Sequence, residues 1–247
     1  MSISSKETIV LNTGNCYVPI TVNYNSKKNI RFRFSSRGGA ISMPPFLRQS
    51  EKNTFIKKGI EWTKEYLKKN SHWEQVFQGD KYEHGNIINT TYKFYPIIRT
   101  DFAGKIEGRL KNNTLYLSIP NDPIYQFESL HTIRTCIHKL ISKDQLPILE
   151  KQVDEVNDQT LQVDINKIKL KYNQSNWGSC SSNKNLSFSS RLLFSPDWVI
   201  KSVIKHELAH FKEMNHSTAF WNIVKSIDET HAESTKWLKD FSWKCDF

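Results

Sequence analysis

The feature that most restricts the structure of this chain is a pattern of histidines and one glutamate near its C-terminal end. Residues 206–216 read HELAHFKEMNH, so His206 and His210 are four positions apart and Glu207 follows the first of them. Because residues four apart lie on one face of a helix, the two imidazoles can approach one metal ion together. An open metal site with three protein ligands needs one more, and His216 is the nearest candidate. The pattern predicts a helix that presents a metal site with a carboxylate beside it.

The residues around this pattern indicate where the helix begins and ends. Ser195 is a favourable N-cap, and Pro196 is a favourable first helical residue. The predicted helix therefore runs from Pro196 to Met214. Asn215 tolerates the left-handed conformation that ends many helices, so the chain can turn there and bring His216 back toward the metal.

The ligand types and the neighbouring carboxylate indicate hydrolytic chemistry. Imidazole nitrogens suit zinc, and three protein ligands leave one coordination position open, as in catalytic zinc sites. Zinc lowers the pKa of water toward neutrality, and a carboxylate placed like Glu207 can accept the proton as water attacks a carbonyl carbon. We therefore expect one Zn²⁺, held by His206, His210 and His216, with Glu207 as the catalytic base.

More than one side chain can serve as the third ligand. Metzincins also have five residues between the second and third histidines, but the third of those five is glycine, and here it is Glu213. The tight glycine turn of that class is absent, which argues against a metzincin. His231 and Glu233 lie farther along the chain and are the alternatives to His216.

The rest of the sequence indicates an α+β protein with two domains. Residues 1–121 contain several short runs of β-branched and aromatic residues and one helical pattern at about 51–69. This predicts a β-rich N-terminal domain with one helix. Residues 122–247 have helical periodicity at about 124–141 and 145–158, followed by two strand patterns ahead of the histidines. The second domain should therefore pack the active-site helix against a small sheet.

A loop and a strand just before the active-site helix are candidates for substrate binding. Trp177, Gly178 and Ser179 form a loop in which the glycine permits an unusual backbone angle, and the loop is either substrate-binding or structural. The following Cys180 is better explained as a small buried thiol than as a nucleophile. A strand within residues 186–193 could pair with an extended peptide if it lies at a sheet edge; otherwise it is an ordinary sheet member.

The charge balance introduces nucleic acid as a second kind of partner. The net charge is +10 and the sequence pI is near 9.3, which favours contact with polyanions through a basic surface. Residues 31–34 read RFRF, so a strand there has one basic and one aromatic face. A lysine-rich, solvated surface is the alternative explanation of the charge.

Cysteine usage and hydropathy indicate where the protein works. The four cysteines form no C-x-x-C pair, which favours free thiols in a reducing compartment over a disulfide framework. The sequence has neither an apolar run of membrane-spanning length nor an N-terminal secretory pattern. We therefore expect a cytoplasmic protein without membrane contact.

The residues from about 170 to 225 resemble those of a known family. The matching positions are Asn176-Trp177-Gly178-Ser179-Cys180-Ser181, Asn185-Leu186, Pro196, Val199-Ile200, His206-Glu207-Leu208-Ala209-His210, Asn215-His216-Ser217 and Phe220-Trp221. This set is similar to the YgjP-like metallopeptidase family, which is related to the SprT-like zinc proteases. One departure is Asn176, where that family usually has arginine.

The resemblance implies a zincin-like catalytic domain, with the active-site helix against a small antiparallel sheet. It also implies that His206, His210 and His216 are the zinc ligands and that Glu207 is the catalytic base. A protein or peptide substrate follows from the peptidase class. Association with DNA is a variant of this function that the SprT-like relatives share.

Two other functions compete with the peptidase. The first is a metal-dependent hydrolase of nucleotide phosphoanhydride bonds, because the same water and base could serve, although the chain has no P-loop. The second is a binding module with structural zinc. A structural site is usually closed by four ligands and needs no base, so the presence of Glu207 argues against that module.

Overall fold

The computed structural model of the chain describes residues 6–25, 29–77, 79–101, 105–119 and 123–245. These residues form a mixed α+β structure of small sheets and helices. They divide into two compact units between Lys81 and Tyr82, and each unit is described by itself. No helix in the described part of the chain is long and apolar enough to cross a membrane.

The first unit contains a four-stranded sheet and the helix predicted from its periodicity. The strands are β1 (Lys6–Asn12), β2 (Tyr17–Tyr24), β3 (Arg31–Ser35) and β4 (Gly38–Met43), in the order β1-β2-β4-β3. The helices are α1 (Gln49–Lys69) and the single turn α2 (Glu74–Phe77). Gly59 of α1 lies so close to Ile41 of β4 that an added Cβ would meet Ile41 Cδ1 at 2.3 Å. A glycine at this point therefore lets the helix approach the sheet.

Strand β3 has the two-faced character that its alternating sequence predicts. Arg31 and Arg33 are exposed, whereas Phe32 and Phe34 face α1. The Phe32 ring centroid lies 5.9 Å from that of Trp62, and the Phe34 ring stacks on Tyr66 at 5.0 Å. The aromatic face of the strand thus belongs to the packing between sheet and helix.

The second unit begins with another four-stranded sheet and a long helix. The strands are β5 (Ile87–Asn89), β6 (Phe94–Asp101), β7 (Glu107–Lys111) and β8 (Thr114–Ile119), in the order β5-β6-β8-β7, followed by helix α3 (Pro123–Asp158). Asn112 and Asn113 have φ angles of 49° and 58° between β7 and β8. Positive φ at both central residues is what a tight hairpin turn requires. The two residues therefore form the tight turn that joins β7 to the antiparallel β8.

The unit boundary differs from the one expected from composition. The expected boundary, between residues 121 and 122, lies outside the described residues. The observed division falls forty residues earlier because the β5–β8 sheet packs on α3. A Cβ at Gly108 would meet Cys136 Sγ at 2.8 Å, and the Tyr95 hydroxyl donates to Asp144 Oδ2 over 2.7 Å. These contacts join strands before the expected boundary to the helix after it.

Helix α3 is one continuous helix, so the prediction of two helices at 124–141 and 145–158 is wrong. Pro147 lies inside it. A proline in a helix interior removes one backbone hydrogen bond, which normally favours a break. Side chains next to the proline are held by the sheet: Lys93 pairs with Asp144 at 2.8 Å, and Gln145 donates to Tyr95 over 2.8 Å. We infer that these tertiary contacts offset the loss of the backbone hydrogen bond at Pro147.

A second, smaller sheet and three helices complete the unit. The strands are β9 (Lys167–Lys171), β10 (Gly178–Cys180) and β11 (Asn185–Ser189), and the helices are α4 (Asp197–Ala209), α5 (Thr218–Ile227) and α6 (His231–Phe241). The strand order is β10-β11-β9, with β10 antiparallel and β9 parallel to β11. The sheet is therefore mixed, whereas an antiparallel one was expected. Its core with α3 and α4 consists of Leu149, Val153, Val156, Leu186, Phe188, Leu192, Ile200, Val203, Ile204 and Leu208.

Candidate metal centre

Helix α4, which carries the first two histidines, begins and ends differently from the prediction. Pro196, and not Ser195, occupies the N-cap, and its carbonyl accepts from the Val199 amide over 2.9 Å. The Ser195 hydroxyl instead donates to the Leu192 carbonyl over 2.7 Å and so closes the preceding 3₁₀ turn. The Ser195 hydroxyl thus makes its hydrogen bond within the preceding turn, before the helix starts.

The helix ends at Ala209, five residues before the predicted Met214. Tighter turns follow, in which the amides of Phe211 and Lys212 bond to carbonyls three residues earlier. Asn215 does not have positive φ, so the predicted left-handed ending is wrong. The early ending leaves enough chain for His216 to return to the helix.

Side chains from two other elements hold the N-terminal end of α4. Thr91, in the loop between β5 and β6, donates its hydroxyl to the carbonyl of Ser195, directly before the N-cap. Gln152 of α3 donates to Asp197 Oδ1 over 2.5 Å and accepts a hydrogen bond from the Tyr92 hydroxyl. These contacts fix the first turn of α4 and hence the direction of its histidine-bearing face.

His206, His210 and His216 converge at the C-terminal end of α4. One ligand nitrogen from each lies within 4.8 Å of the other two, and the Nε2 atoms of His206 and His216 are 3.2 Å apart. Tetrahedral zinc with Zn–N bonds of about 2.0–2.1 Å places its ligand nitrogens roughly 3.3 Å apart. The donor atoms therefore suit a zinc ion, and the His206–His216 separation is close to that of two ligands of tetrahedral zinc.

The protonation states of these imidazoles also suit metal binding. Burial, with smaller contributions from His210, His216 and His231, lowers the pKa of His206 to about 4. Burial likewise lowers the pKa of His210, although its hydrogen bond to the Glu213 carbonyl opposes that shift. Because a metal requires the neutral imidazole, both rings are in the required form at neutral pH.

His210 is oriented by a backbone carbonyl. Its Nδ1 lies 3.2 Å from the carbonyl oxygen of Glu213, which leaves Nε2 for a metal. Ligating histidines usually donate their second ring N–H in this way, which fixes the tautomer and the ring plane. The turn around Glu213, which lacks a metzincin glycine, thus orients a candidate ligand through its main chain.

Two aromatic residues of α5 pack directly on the three imidazoles. The Phe220 ring stacks on His210 at 4.5 Å, and the Trp221 ring stacks on His216 at 5.6 Å. The sequence alone identified both only as positions that match the family pattern, without a role at the metal centre. Their position four and five residues after His216, in the first turn of a helix, was the available signal. That helix is capped by Ser217, whose hydroxyl accepts from the Phe220 amide over 3.3 Å.

Glu207 lies in the same cavity as the histidines but is itself only 5% exposed. Burial raises the pKa of its carboxyl to about 8. A Cβ at Gly178 would meet Glu207 Oε1 at 2.5 Å, so only glycine allows the loop to lie against this carboxyl. Gly178 does not have positive φ, and its role is therefore close approach and not the unusual backbone angle expected from sequence.

The cavity has a volume of about 640 Å³ and three walls. One wall is the histidine-bearing face of α4, and a second is a face of α6 that includes His231 and Leu238. The third is strand β10 with the preceding Trp177. All three residues expected to bind substrate, Trp177, Gly178 and Ser179, line this cavity.

Strand β10 forms one edge of its sheet, whereas β11 is the central strand. The idea that the strand within residues 186–193 pairs with substrate from a sheet edge is therefore wrong, because β10 and β9 flank it on both sides. The Ser189 amide donates to the Trp177 carbonyl over 2.8 Å, and the Ser181 amide donates to the Asn185 carbonyl over 3.0 Å. In an antiparallel ladder, the backbone N–H and C=O groups of successive residues point alternately toward the partner strand and away from it. The intervening Gly178 and Cys180 therefore direct their backbone polar groups away from β11.

Side chains around β10 hold the loop in place. The Arg191 guanidinium covers the Trp177 ring at 4.2 Å from its centroid. Asn176, the departure from the family pattern, donates its side-chain amide to the Gly178 carbonyl over 2.9 Å. Burial and the nearby Glu207 raise the pKa of the Cys180 thiol to about 11, which keeps the thiol protonated and argues against a nucleophilic role.

The alternative third ligands lie apart from the histidine cluster. His231 begins α6 and lines the cavity, and its ring centroid is 6.1 Å from that of Trp221. Glu233 is exposed and does not line the cavity. Among the described residues, the group able to hold a metal ion consists of His206, His210 and His216.

The chain is similar to known metallopeptidases. The chain matches the family described as YgjP-like, metallopeptidase domain, over residues 28–241. Among solved structures it is similar to the metallopeptidase zymogen abylysin of Pyrococcus abyssi, with 18% identity and a TM-score of 0.34 over 38% of this chain and 94% of that chain. It is also similar to the zymogen jannalysin of Methanocaldococcus jannaschii, with 22% identity and a TM-score of 0.32 over 36% and 96% of the two chains. A search of curated proteins finds no match.

The family match covers most of the sequence and includes the whole candidate site. It identifies a metal-dependent hydrolase of the peptidase class, whose substrates are proteins or peptides, and favours that activity over nucleotide hydrolysis. It gives no support to nucleic-acid binding. The chain belongs to the YgjP-like metallopeptidase family.

Proposed function

We propose that the protein is a zincin-like peptidase in which His206, His210 and His216 hold one Zn²⁺ and Glu207 is the general base. The observation that carries the proposal is the convergence of three imidazole nitrogens within 4.8 Å of one another, with the Glu207 carboxyl in the same cavity. Three protein ligands leave a coordination position for water or substrate, as catalytic zinc sites require.

Each site residue has a distinct task in this proposal. When bound, zinc supplies a Lewis acid that favours deprotonation of water and polarises a carbonyl group. Glu207 accepts the proton of the attacking water and later delivers it to the leaving amine nitrogen. Burial raises the pKa of Glu207 to about 8, and an adjacent dication would favour its ionised form. The carboxyl can therefore change protonation state near neutral pH, as both steps require.

The open edge of β10 provides a site for the substrate backbone. Gly178 and Cys180 direct backbone groups toward this edge, and an extended peptide can pair with such groups as an added strand. Because Gly178 also touches Glu207, a peptide on this edge lies beside the base. Trp177 and Ser179 flank the same position, so we assign Trp177, Gly178 and Ser179 to substrate binding.

The decisive experiment compares metal content and casein hydrolysis for wild type, Glu207→Gln and His216→Ala. Glu207→Gln should keep its zinc and lose about 10²–10⁴-fold in turnover, because the amide cannot accept the proton. His216→Ala should lose metal affinity by more than about 100-fold, since even outer-shell changes weaken binding by 10–100-fold. His84→Ala is the matched control, because His84 is exposed and does not line the cavity.

Two results would contradict the assignments. Full turnover by Glu207→Gln would exclude the carboxylate as base. Unchanged zinc content in His216→Ala would show that another side chain completes the site, with His231 the next residue to substitute.

A further inference from the structure

One face of α6 forms a wall of the cavity and brings a fourth histidine to the candidate metal centre. His231, Ser234, Thr235 and Leu238 line the cavity at helical spacing. His231 is the first residue of the helix, and its ring lies 6.1 Å from Trp221, which in turn stacks on His216.

Peptide hydrolysis is favoured by a hydrogen-bond donor near the scissile carbonyl, and neither the candidate ligands nor the base supply one. Negative charge develops on the carbonyl oxygen when water attacks the carbonyl carbon, and a preorganised donor stabilises it. Glu207 serves as a proton acceptor at this stage and cannot play this part. It also lies against Gly178 of β10, whereas His231 packs against Trp221 of α5. The base and the fourth histidine thus contact different walls of the cavity.

Several other polar side chains of the cavity are engaged elsewhere. Ser202 donates to Asp228 over 2.5 Å, and Thr235 donates to the His231 carbonyl over 2.9 Å. Asn176 donates to the Gly178 carbonyl. Lys239 follows His231 by eight residues, which corresponds to roughly 12 Å along a helix. His231 is therefore well placed to donate a hydrogen bond beside the ligands.

We infer that His231 is a further catalytic residue, whose imidazole N–H donates a hydrogen bond to the oxyanion formed from the scissile carbonyl. The inference rests on the proposed peptidase function. The ring N–H stays on His231 throughout, since it donates a hydrogen bond and transfers no proton. His231 is distinct from the three candidate ligands and is not required to hold the metal.

The test measures affinity for a phosphinic peptide, whose tetrahedral anion resembles the charged intermediate, together with zinc content and kcat. In His231→Phe, the Kd for this peptide should rise about 10²-fold or more and kcat should fall by a similar factor, while zinc content stays unchanged. His231→Gln or His231→Asn, which restore an N–H donor at the position of one ring nitrogen or the other, should recover part of the loss. His84→Phe is the control for replacement of an exposed histidine.

The outcomes separate this inference from the proposed function. If the wild type and a folded His231→Phe variant bind the phosphinic peptide with equal affinity, the role of His231 is overturned. The proposed peptidase function would be unaffected by that result. Loss of zinc in His231→Phe would also overturn it, because His231 would then be a ligand. If the zinc-loaded wild type neither binds the phosphinic peptide nor hydrolyses casein, the proposed function itself fails.

Discussion

The close contact between Glu207 and Gly178 gives a specific reason for a glycine at position 178. The sequence alone indicated only that glycine permits an unusual backbone angle there. The Gly178 backbone lies so close to the Glu207 carboxyl that no β-carbon fits between them. The contact restricts the position of this buried carboxyl, as the proposed role in general base catalysis would require. A single methyl group at position 178 should therefore disturb the proposed base without touching a candidate metal ligand.

We predict that Gly178→Ala displaces the Glu207 side chain and lowers kcat by about 10²-fold, the lower end of what general base catalysis contributes. The added Cβ would lie 2.5 Å from Oε1 and 2.6 Å from Cγ, so the carboxyl end of the flexible side chain has to move. Zinc content should not change. Kinetics on a peptide substrate and metal analysis of the same preparation check this expectation.

Gly85→Ala is the matched control for this substitution. Its added Cβ would have no atom within 4 Å, but its φ of +88° makes alanine unfavourable there by about 1–2 kcal/mol. The control should therefore lower stability and leave kcat unchanged. Equal kcat values for the two variants would mean that the contact at Gly178 does not matter for catalysis.

At the scale of elements, α5 supports the candidate ligands although it supplies none. The helix starts directly after His216, and its first turn carries Phe220 and Trp221, which pack on the three imidazoles. Phe220 is completely buried, so its ring provides a rigid surface for His210. The position of the helix start should therefore affect both stability and metal affinity.

We predict that Ser217→Ala, which removes the N-cap of α5, lowers the free energy of unfolding by about 1 kcal/mol and weakens zinc binding. The cap hydroxyl accepts from the Phe220 amide over 3.3 Å, and without it the first turn is less firmly held. Ser217→Asp should restore the cap. Denaturant unfolding of the zinc-free protein and competition with a zinc chelator give the two quantities.

Ser226→Ala is the control at the other end of the same helix. Ser226 is exposed, and its hydroxyl bonds only to the Ile223 carbonyl among the described contacts. This variant should bind zinc like the wild type. A zinc affinity in Ser217→Ala equal to that of Ser226→Ala would show that the cap is independent of the metal centre.

Local spacing and tertiary arrangement differ in how well the sequence predicts them. The separation of His206 and His210 places both rings on one helix face whatever surrounds the helix, and the Asn112-Asn113 turn likewise depends only on its own residues. The central position of β11 depends instead on which strands flank it, and strand order is a tertiary property. The same holds for Gly178, whose partner Glu207 is 29 residues away in the chain. Contacts between residues so far apart in the chain produce no periodic pattern in the sequence from which they could be predicted.

At the scale of the whole molecule, charge is distributed unevenly between the two units. Residues 1–81 contain 14 Lys and Arg and 6 Asp and Glu, so this stretch has eight of the ten net positive charges. The candidate metal centre lies in the other unit, which is almost neutral. The basic composition that first pointed to polyanions is therefore a property of the N-terminal unit and not of the metal centre.

The interior of the second unit contains a histidine that should make the whole fold sensitive to acid. His138 is completely buried, its ring stacks on Tyr172 at 4.1 Å, and its Nδ1 lies 2.8 Å from the Ser190 hydroxyl. Burial, and then the charges of Arg191 and Arg134, lower its pKa well below 6.5. The folded protein therefore excludes a proton that the unfolded chain accepts.

We predict that folding stability falls as the pH drops below about 6.5, by up to 1.4 kcal/mol per pH unit from this group. The sign follows because the unfolded state binds more protons than the folded state in that range. Above pH 6.5 the contribution of His138 to the slope is zero. Denaturant unfolding between pH 5 and 8 should give a shallower pH dependence for His138→Gln than for the wild type, with the exposed His84→Gln as control. Identical slopes for wild type and His138→Gln would refute the prediction.

The three-residue length of β10 has a consequence for the behaviour of the protein in solution. An unpaired strand edge is a template on which other chains can assemble, and long exposed edges lead to aggregation. If this edge binds substrate, as proposed, it has to stay uncovered, and its short length then limits such assembly. Three residues offer only a few backbone hydrogen bonds, which is enough to align a peptide held at other points but a weak template for a second copy of the sheet. On this proposal, an exposed edge is compatible with little self-association.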